Sequence, residues 1–195
     1  MNKDDVIALP HPNLRKMSHK VGVITPEILK IIDDMKAATI SWDLSREHEV
    51  GVALAAVQIN QLYKIIVVRN NYENKDDVSF SAFINPVITK LEGTIEEDYE
   101  GCLSVQDIYG KVPRYSKVRV KAINEHGRTF RVTAEGFLAR IFQHEIDHIR
   151  GVLFIDHIKD ASDAFFKLKE DGTLEQLDYV KSVKNNQDLW ADKDE

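Results

Sequence analysis

Residues 143–151 read Gln-His-Glu-Ile-Asp-His-Ile-Arg-Gly, and this segment is more informative than any other part of the 195-residue chain. In an α-helix, His144 and His148 are one turn apart on the same face, close enough to share a metal ion. Glu145 lies beside the first histidine, where it can reach a water molecule activated by that metal. Two neutral imidazoles and an acid–base carboxylate are the minimal set for metal-assisted hydrolysis, so the segment predicts a hydrolytic metalloenzyme.

The alternative for this segment is a solvent-exposed helix with two incidental histidines. Phe142, Ile146 and Ile149 argue against that alternative, because they make the segment apolar. A buried Glu145 without a charge partner would cost several kcal/mol, and a bound metal relieves that cost. The metal-binding interpretation is therefore favoured on this segment alone.

Cys102 is the only cysteine of the chain, and it lies in the segment Glu100-Gly101-Cys102-Leu103-Ser104. A thiolate is a strong ligand for iron(II), zinc and related metals. Together with the two imidazoles it makes three protein ligands, which leaves a fourth position for water, as in catalytic sites. Two alternatives stay open: a small buried apolar cysteine, or a closed structural site in which His157 or Asp147 supplies the fourth ligand. Asp147 is better placed as an ion-pairing residue behind the ligands.

The composition is that of a soluble globular protein of one ordinary domain. Hydrophobic residues make up 43% of the chain and charged residues 30%, and no apolar run approaches the roughly 20 residues of a membrane span. Residues 1–10 lack the basic-then-apolar pattern of a signal peptide. The net charge of −6 and a pI near 5.7 argue against a broad nucleic-acid-binding face. We expect a cytoplasmic protein with no membrane partner and no direct nucleic-acid binding.

Hydrophobic periodicity predicts two main helices and a set of short strands. The first helix begins at Pro26, after Thr25 as N-cap, and runs to about Leu44. The second runs from about Ala134 to Arg150 and carries the metal motif. The predicted strands are residues 64–69, 83–88, 117–122 and 129–132, the last two joined by a turn at residues 124–127. The pattern predicts an α+β fold with antiparallel β-sheets packed around the central helix that carries the metal motif.

A third segment, residues 51–58, is rich in small side chains: Gly-Val-Ala-Leu-Ala-Ala-Val-Gln. Small residues in succession allow another backbone to approach closely, and Gln58 offers an amide donor at the end. Taken alone, the segment is equally compatible with a packing seam.

Together the three segments resemble the signature motifs of peptide deformylases, in their usual order and with familiar spacings. The family motifs are Gly-x-Gly-Leu-Ala-Ala-x-Gln, Glu-Gly-Cys-Leu-Ser and Gln-His-Glu-x-Asp-His. The second and third match completely, whereas the first departs at Ala53, where the family has glycine, and at Val57, where proline is common. Residues 9–15 and 151–156 also resemble the family's opening segment and its continuation past the helix. The resemblance extends from about residue 6 to about residue 160.

The resemblance implies hydrolytic removal of the formyl group from the N-terminal formyl-methionine of newly synthesised polypeptides, with release of formate. It implies that Cys102, His144 and His148 hold one divalent metal ion. In the family this metal is typically iron(II), with zinc, nickel or cobalt as substitutes. The implied partners are N-formylated nascent peptides. Some members of the family also dock on the ribosome through a basic C-terminal helix, a contact that the acidic tail of this chain does not support.

The resemblance also assigns roles around the reacting group. Glu145 acts as general base on water and then delivers a proton to the departing amine. Gln58 and the backbone N–H of Leu103 donate to the formyl oxygen as it gains charge. The peptide binds in an extended form beside Gly51, Val52, Ala53 and Gly101. Arg140, one turn before the first histidine, either faces the incoming peptide or lies on the surface.

The domain prediction follows from the same match. Residues 1–168 are expected to form the peptide deformylase-like catalytic domain, and residues 169–195 a polar, acidic C-terminal tail that is partly disordered.

Two other functions remain open on the sequence. One is a metallopeptidase built on the same two-histidine helix, although such enzymes usually take their third ligand from downstream of the helix. The other is a catalytically impaired deformylase-like protein that binds peptide N-termini and keeps its metal for structure. Ala53 and Val57 favour this last interpretation, whereas the presence of Glu145 and Gln58 argues against it.

Overall fold

The computed structural model describes residues 1–43, 50–74 and 76–191. In these ranges the helices are α1 (Pro26–Asp43), α2 (Gly136–His148) and the short α3 (Gln187–Trp190). The strands are β1 (Ala53–Ala55), β2 (Ile65–Arg69), β3 (Phe80–Cys102), β4 (Val105–Ile123), β5 (Thr129–Glu135), β6 (Phe165–Leu168) and β7 (Leu174–Gln176). The expected end of the first helix, at Leu44, lies outside the described residues.

All the strand pairs are antiparallel, and they join into one continuous sheet of order β1-β2-β3-β4-β6-β7, with β5 also paired to β4. The α+β class with a helix against antiparallel strands is thus confirmed. The strands predicted at residues 83–88 and 117–122 are only parts of a long β3–β4 hairpin, which runs from the pair Ile84–Ile123 to the pair Cys102–Val105. Cys102 is the last residue of β3, so the long hairpin places it beside the metal-motif helix.

The two long helices cover opposite faces of β2, which explains its uninterrupted β-branched run. Ile66 and Val68 belong to the core cluster that contains α2, whereas Ile65 and Val67 belong to the cluster that contains α1. Successive side chains of a strand point to opposite faces, so a strand between two helices is apolar at every position. The metal-motif helix is therefore fixed against a rigid sheet.

A buried ion pair ties the end of α1 to the start of the small-residue segment. Arg69, at the end of β2, pairs with Asp43, and the two side chains are 0% and 6% exposed. Asp43 also accepts from the backbone N–H of Gly51, and Arg69 Nε donates to the Gly51 carbonyl oxygen at 3.2 Å. A Cβ at residue 51 would lie 2.8 Å from Thr39 Cγ2, so this close approach requires glycine. The ion pair and its two contacts with Gly51 fix the path of the chain into β1.

The described part of the C-terminal tail packs on the rest of the molecule. β6 pairs with β4 at Tyr109–Phe166, and β7 pairs with β6. Val183 and Leu189 are buried in a third core cluster that also contains Phe154. The division of the chain at residue 168 stays a prediction. Within the described residues, no helix is both long enough and apolar enough to span a bilayer.

Candidate active site

The three predicted metal ligands converge at one point, where the end of β3 meets the face of α2. Cys102 Sγ lies 3.2 Å from His148 Nε2, and His148 Nε2 lies 3.2 Å from His144 Nε2. One donor atom from each of the three residues lies within 4.8 Å of the others. The two histidines are one helical turn apart, as their spacing predicted, and the long hairpin supplies the sulfur.

The other ring nitrogen of His144 is held by Glu100. His144 Nδ1 lies 2.9 Å from Glu100 Oε2, and because a carboxylate only accepts, Nδ1 is the protonated nitrogen. The lone pair of Nε2 is then left for a metal, the usual arrangement of a metal-binding histidine. Burial opposes the charge on Glu100, but His144 and Arg114 outweigh it and hold the pKa of this carboxyl well below its usual range.

Glu100 is also the centre of a buried charge network that sequence reasoning did not identify. Arg114 Nε and Arg140 Nη1 each donate to Glu100 Oε1 at 2.9 Å. Arg140 is 6% exposed and also donates to the Val112 carbonyl oxygen at 2.7 Å, so the surface alternative for Arg140 is wrong. Arg140 also lines the pocket beside the ligand cluster, and the peptide-facing alternative stays a prediction. The inward position of Arg114 follows from strand alternation, since Val112, two residues earlier in β4, is buried on the same face.

Asp147 and His157, the candidates for a fourth ligand, lie in this network and not in the ligand cluster. Asp147 Oδ2 accepts from Arg114 Nη1 at 2.6 Å and lies 2.7 Å from His157 Nε2. These contacts agree with the expected ion-pairing role of Asp147. Among the described residues, the grouped donor atoms come from Cys102 and the two helix histidines.

The electrostatics of the cluster favour a bound cation. Burial alone would raise the pKa of the Cys102 thiol, but the imidazoles of His148 and His144 outweigh it and lower this pKa to about 5. Burial lowers the pKa of His144, but Cys102 and Glu100 outweigh it and raise this pKa well above its usual value. A thiolate therefore lies beside the His144 imidazole, which holds positive charge strongly. A divalent metal ion can take the place of that positive charge, so the donor set fits a metal such as iron(II) or zinc.

Glu145 is a buried carboxyl beside the cluster. It is 5% exposed, and its Oε2 atom is buried without a hydrogen-bond partner among the described residues. Burial raises the pKa of Glu145, although His144 and His148 act in the opposite direction. Such a carboxyl is poised to exchange a proton with a reacting molecule.

Gln58 presents its amide nitrogen to the same centre. The backbone N–H of Ala55 donates to Gln58 Oε1 at 2.8 Å, which fixes the orientation of the side-chain amide. Gln58 Nε2 then lies 3.6 Å from Cys102 Sγ and 3.2 Å from Ser104 Oγ. Leu103, the other predicted donor residue, lines the same pocket.

A cavity of about 380 Å³ opens beside the cluster. Of the predicted peptide-binding residues, Val52, Ala53 and Gly101 line it. Gly51 is not one of the lining residues and packs against α1. A Cβ at Gly101 would lie 2.6 Å from the Tyr109 ring, so glycine is required at that close approach. Sequence reasoning missed the aromatic lining residues, which come from distant parts of the chain: Trp42, Tyr72, Tyr99, Tyr109 and Phe137.

Ala53 occupies an ordinary extended position, although the family motif has glycine there. It lies in β1, paired with Val68 of β2, and it is not among the described non-glycine residues with positive φ. An alanine is therefore accommodated without backbone strain. Backbone strain at Ala53 therefore gives no support to an impaired protein.

The fold and the centre define a metal-dependent hydrolase. Three side-chain donors, a buried carboxyl and an amide donor meet at the end of a pocket large enough for part of a peptide.

Comparison with known proteins identifies the family. The model of the polypeptide deformylase family matches residues 3–164, and the chain belongs to this family. Peptide deformylase 2 of Clostridium acetobutylicum is 41% identical over 147 residues, which cover 75% of this chain and 89% of that protein. The peptide deformylase of Aquifex aeolicus is 39% identical over 155 residues, covering 80% and 87% of the two chains.

Solved structures agree with the sequence relatives. A peptide deformylase from Synechococcus elongatus, in complex with actinonin, superposes with a TM-score of 0.70 at 33% identity, covering 80% of this chain and 79% of that one. A class I type b peptide deformylase from Acinetobacter baumannii, with Met-Ala-Ser bound, superposes with a TM-score of 0.67 at 31% identity and covers 78% and 96%.

Proposed function

We propose that this deformylase removes the formyl group from the N-terminal formyl-methionine of newly synthesised polypeptides and releases formate, with the residues of the centre in the roles set out below. The observation that carries the proposal is the meeting of Cys102, His144 and His148 beside the buried Glu145 at one end of a peptide-sized pocket. The products are formate and a peptide with a free N-terminal amine.

Cys102, His144 and His148 would hold one divalent metal. When bound there, the metal makes water nucleophilic at neutral pH and polarises the formyl carbonyl. We propose iron(II) as the native metal, with zinc, nickel or cobalt able to replace it, since thiolate and imidazole ligands suit all four.

Groups of the protein itself transfer the protons and stabilise the negative charge that develops on the formyl oxygen. Glu145, buried and with a raised pKa, takes the proton of the attacking water and later delivers it to the nitrogen of the departing peptide. The Gln58 amide nitrogen, oriented by Ala55, donates to the formyl oxygen as negative charge develops there. The backbone N–H of Leu103 is the second donor in this proposal. Val52, Ala53 and Gly101 line the path of the extended peptide.

The partners in this proposal are N-formylated nascent peptides. They are made in the cytoplasm of bacterial-type cells, which is therefore the proposed location of the protein.

Formate release from formyl-Met-Ala-Ser tests the proposal, with protein purified and loaded with iron(II) under anaerobic conditions. We expect turnover that Glu145→Gln lowers by about 10²–10⁴-fold, the usual contribution of a general acid–base group, without loss of the metal. Glu135→Gln, at an ion-paired carboxylate that is 67% exposed on β5, is the matched control and should keep parental turnover.

Two results would favour the alternatives. Cleavage of an internal bond in an N-acetylated peptide, without formate release from formyl peptides, would indicate a metallopeptidase. Binding of formyl peptides without any formate release by the iron-loaded protein would indicate a peptide-binding protein with a structural metal. The family relationships support deformylation over both alternatives.

A further inference from the structure

Five large apolar residues in the lining of the pocket beside the ligand cluster come from separate parts of the chain, and we call them the apolar wall. Trp42 comes from α1, Val50 and Val52 from the segment before β1, Tyr72 from the loop after β2, and Phe137 from the first turn of α2. The ring centroids of Tyr72 and Phe137 are 5.3 Å apart, with an interplanar angle of 64°. This is an edge-to-face pair, a favoured arrangement of two aromatic rings. It connects the loop to the helix that carries the metal motif.

The loop that delivers Tyr72 is held at its base. The backbone N–H of Asn70 donates to the Ser79 carbonyl oxygen at 3.0 Å. The buried guanidinium of Arg69 donates to the Asp77 carbonyl oxygen at 2.6 Å. Since Tyr72 also packs partly buried against the core cluster that contains α2, its ring is fixed as a wall of the pocket.

The size and chemistry of this wall bear on the substrate. With the formyl carbon at the ligand cluster, the first side chain of the peptide is the apolar group nearest to that cluster. In a cavity of about 380 Å³, the apolar wall suits that side chain, whereas the peptide backbone needs hydrogen-bonding groups. A rigid wall in contact with the side chain discriminates by length, and each methylene in an apolar pocket changes the rate by about 10–200-fold.

We propose that Tyr72, positioned against Phe137, is a specificity-determining residue that completes the apolar wall and limits the length of the side chain following the formyl group. The inference rests on the proposed deformylation. Tyr72 lies outside all three sequence motifs.

Two formylated tripeptides that differ only by two methylenes test the inference: formyl-norleucyl-Ala-Ser and formyl-2-aminooctanoyl-Ala-Ser. The quantity compared is the ratio of kcat/KM for the longer substrate to that for the shorter one. We expect Tyr72→Ala to raise this ratio at least about tenfold, the lower limit for one methylene in an apolar pocket. Tyr72→Phe keeps the ring and should keep the parental ratio.

Val78→Ala is the matched control, because Val78 lies in the same loop, is 60% exposed and is not a lining residue. Phe137→Ala should shift the ratio in the same direction, and the double variant should shift it no further than the larger single effect, since the two rings act as one wall. Urea unfolding of each variant establishes that it is folded, and Tyr72→Leu replaces Tyr72→Ala if that variant does not fold.

A ratio within about twofold of the parent in Tyr72→Ala would overturn the inference while leaving deformylation intact, since a length-limiting wall predicts at least tenfold. An equal shift in Val78→Ala would also overturn it, because the loop as a whole and not the ring would then set the limit. If the iron-loaded parent protein releases formate from neither substrate, the proposed deformylation is rejected and the inference with it.

Discussion

Glu100→Gln is the most informative single change, because Glu100 connects a metal ligand to two buried cations. The side chains of Glu100, Arg114 and Arg140 are 3%, 5% and 7% exposed, so water screens these pairs little. Removal of one partner from a buried ion pair costs about 3–5 kcal/mol. An amide keeps the shape and one acceptor, so we expect a loss near the lower limit, about 3 kcal/mol, from the metal-free protein. The amide also weakens the hold on His144, and the loss of such a contact behind a ligand lowers metal affinity by about 10–100-fold.

Urea unfolding of the metal-free protein and zinc competition against a chelator measure these two effects separately. A loss of about 3 kcal/mol moves the unfolding midpoint by about 1–3 M urea, given slopes of about 1–3 kcal/mol/M. Glu97→Gln is the matched control on the same strand, because the Glu97 side chain is 59% exposed, and it should change stability by less than about 0.5 kcal/mol. Parental unfolding and parental zinc affinity in Glu100→Gln would refute the role assigned to the network.

Two further comparisons between variants test the packing. Gly151 and Gly127 both have φ of +76°, but a Cβ at Gly151 would lie 2.3 Å from a backbone carbonyl oxygen, whereas one at Gly127 would meet nothing within 4 Å. Gly127→Ala should therefore cost only about 1–2 kcal/mol for the left-handed backbone, and Gly151→Ala about 1–3 kcal/mol more for overpacking. Equal urea midpoints would contradict this difference. Arg69→Met should cost about 3–5 kcal/mol by removing the buried cation that pairs with Asp43, and adding Asp43→Asn should recover part of that loss. A double variant less stable than Arg69→Met would be the contrary result.

The metal centre could be predicted from the sequence because its chemistry is concentrated in short segments. The spacing of His144 and His148 fixes their relative position once the helix forms, and Cys102 is the only thiol in the chain. The helix that contains the two histidines was predicted to within two residues at each end, since its apolar face is regular and Gly151, with a positive φ, lies two residues after its C-cap Ile149.

The surroundings of the centre could not be predicted, because long-range pairing sets them. The β3–β4 hairpin is far longer than its apolar runs, since much of it is exposed and its polar residues carry no strand signal. The network of Arg114 and Arg140 around Glu100 depends on the register of that hairpin against α2. Tyr72 lines the pocket from a loop whose polar, acidic sequence predicts an exposed segment. Such contacts are defined by tertiary structure and leave no local pattern.

X-ray absorption of the zinc-loaded protein tests the central claim most directly, since it reads the ligands of the metal itself. The structure predicts one sulfur scatterer at about 2.3 Å and two imidazole nitrogens at about 2.0–2.1 Å, with one further light atom from solvent. Cys102→Ser should remove the sulfur signal. A spectrum of the parent with no sulfur neighbour, or with a third imidazole in place of the solvent atom, would contradict the account.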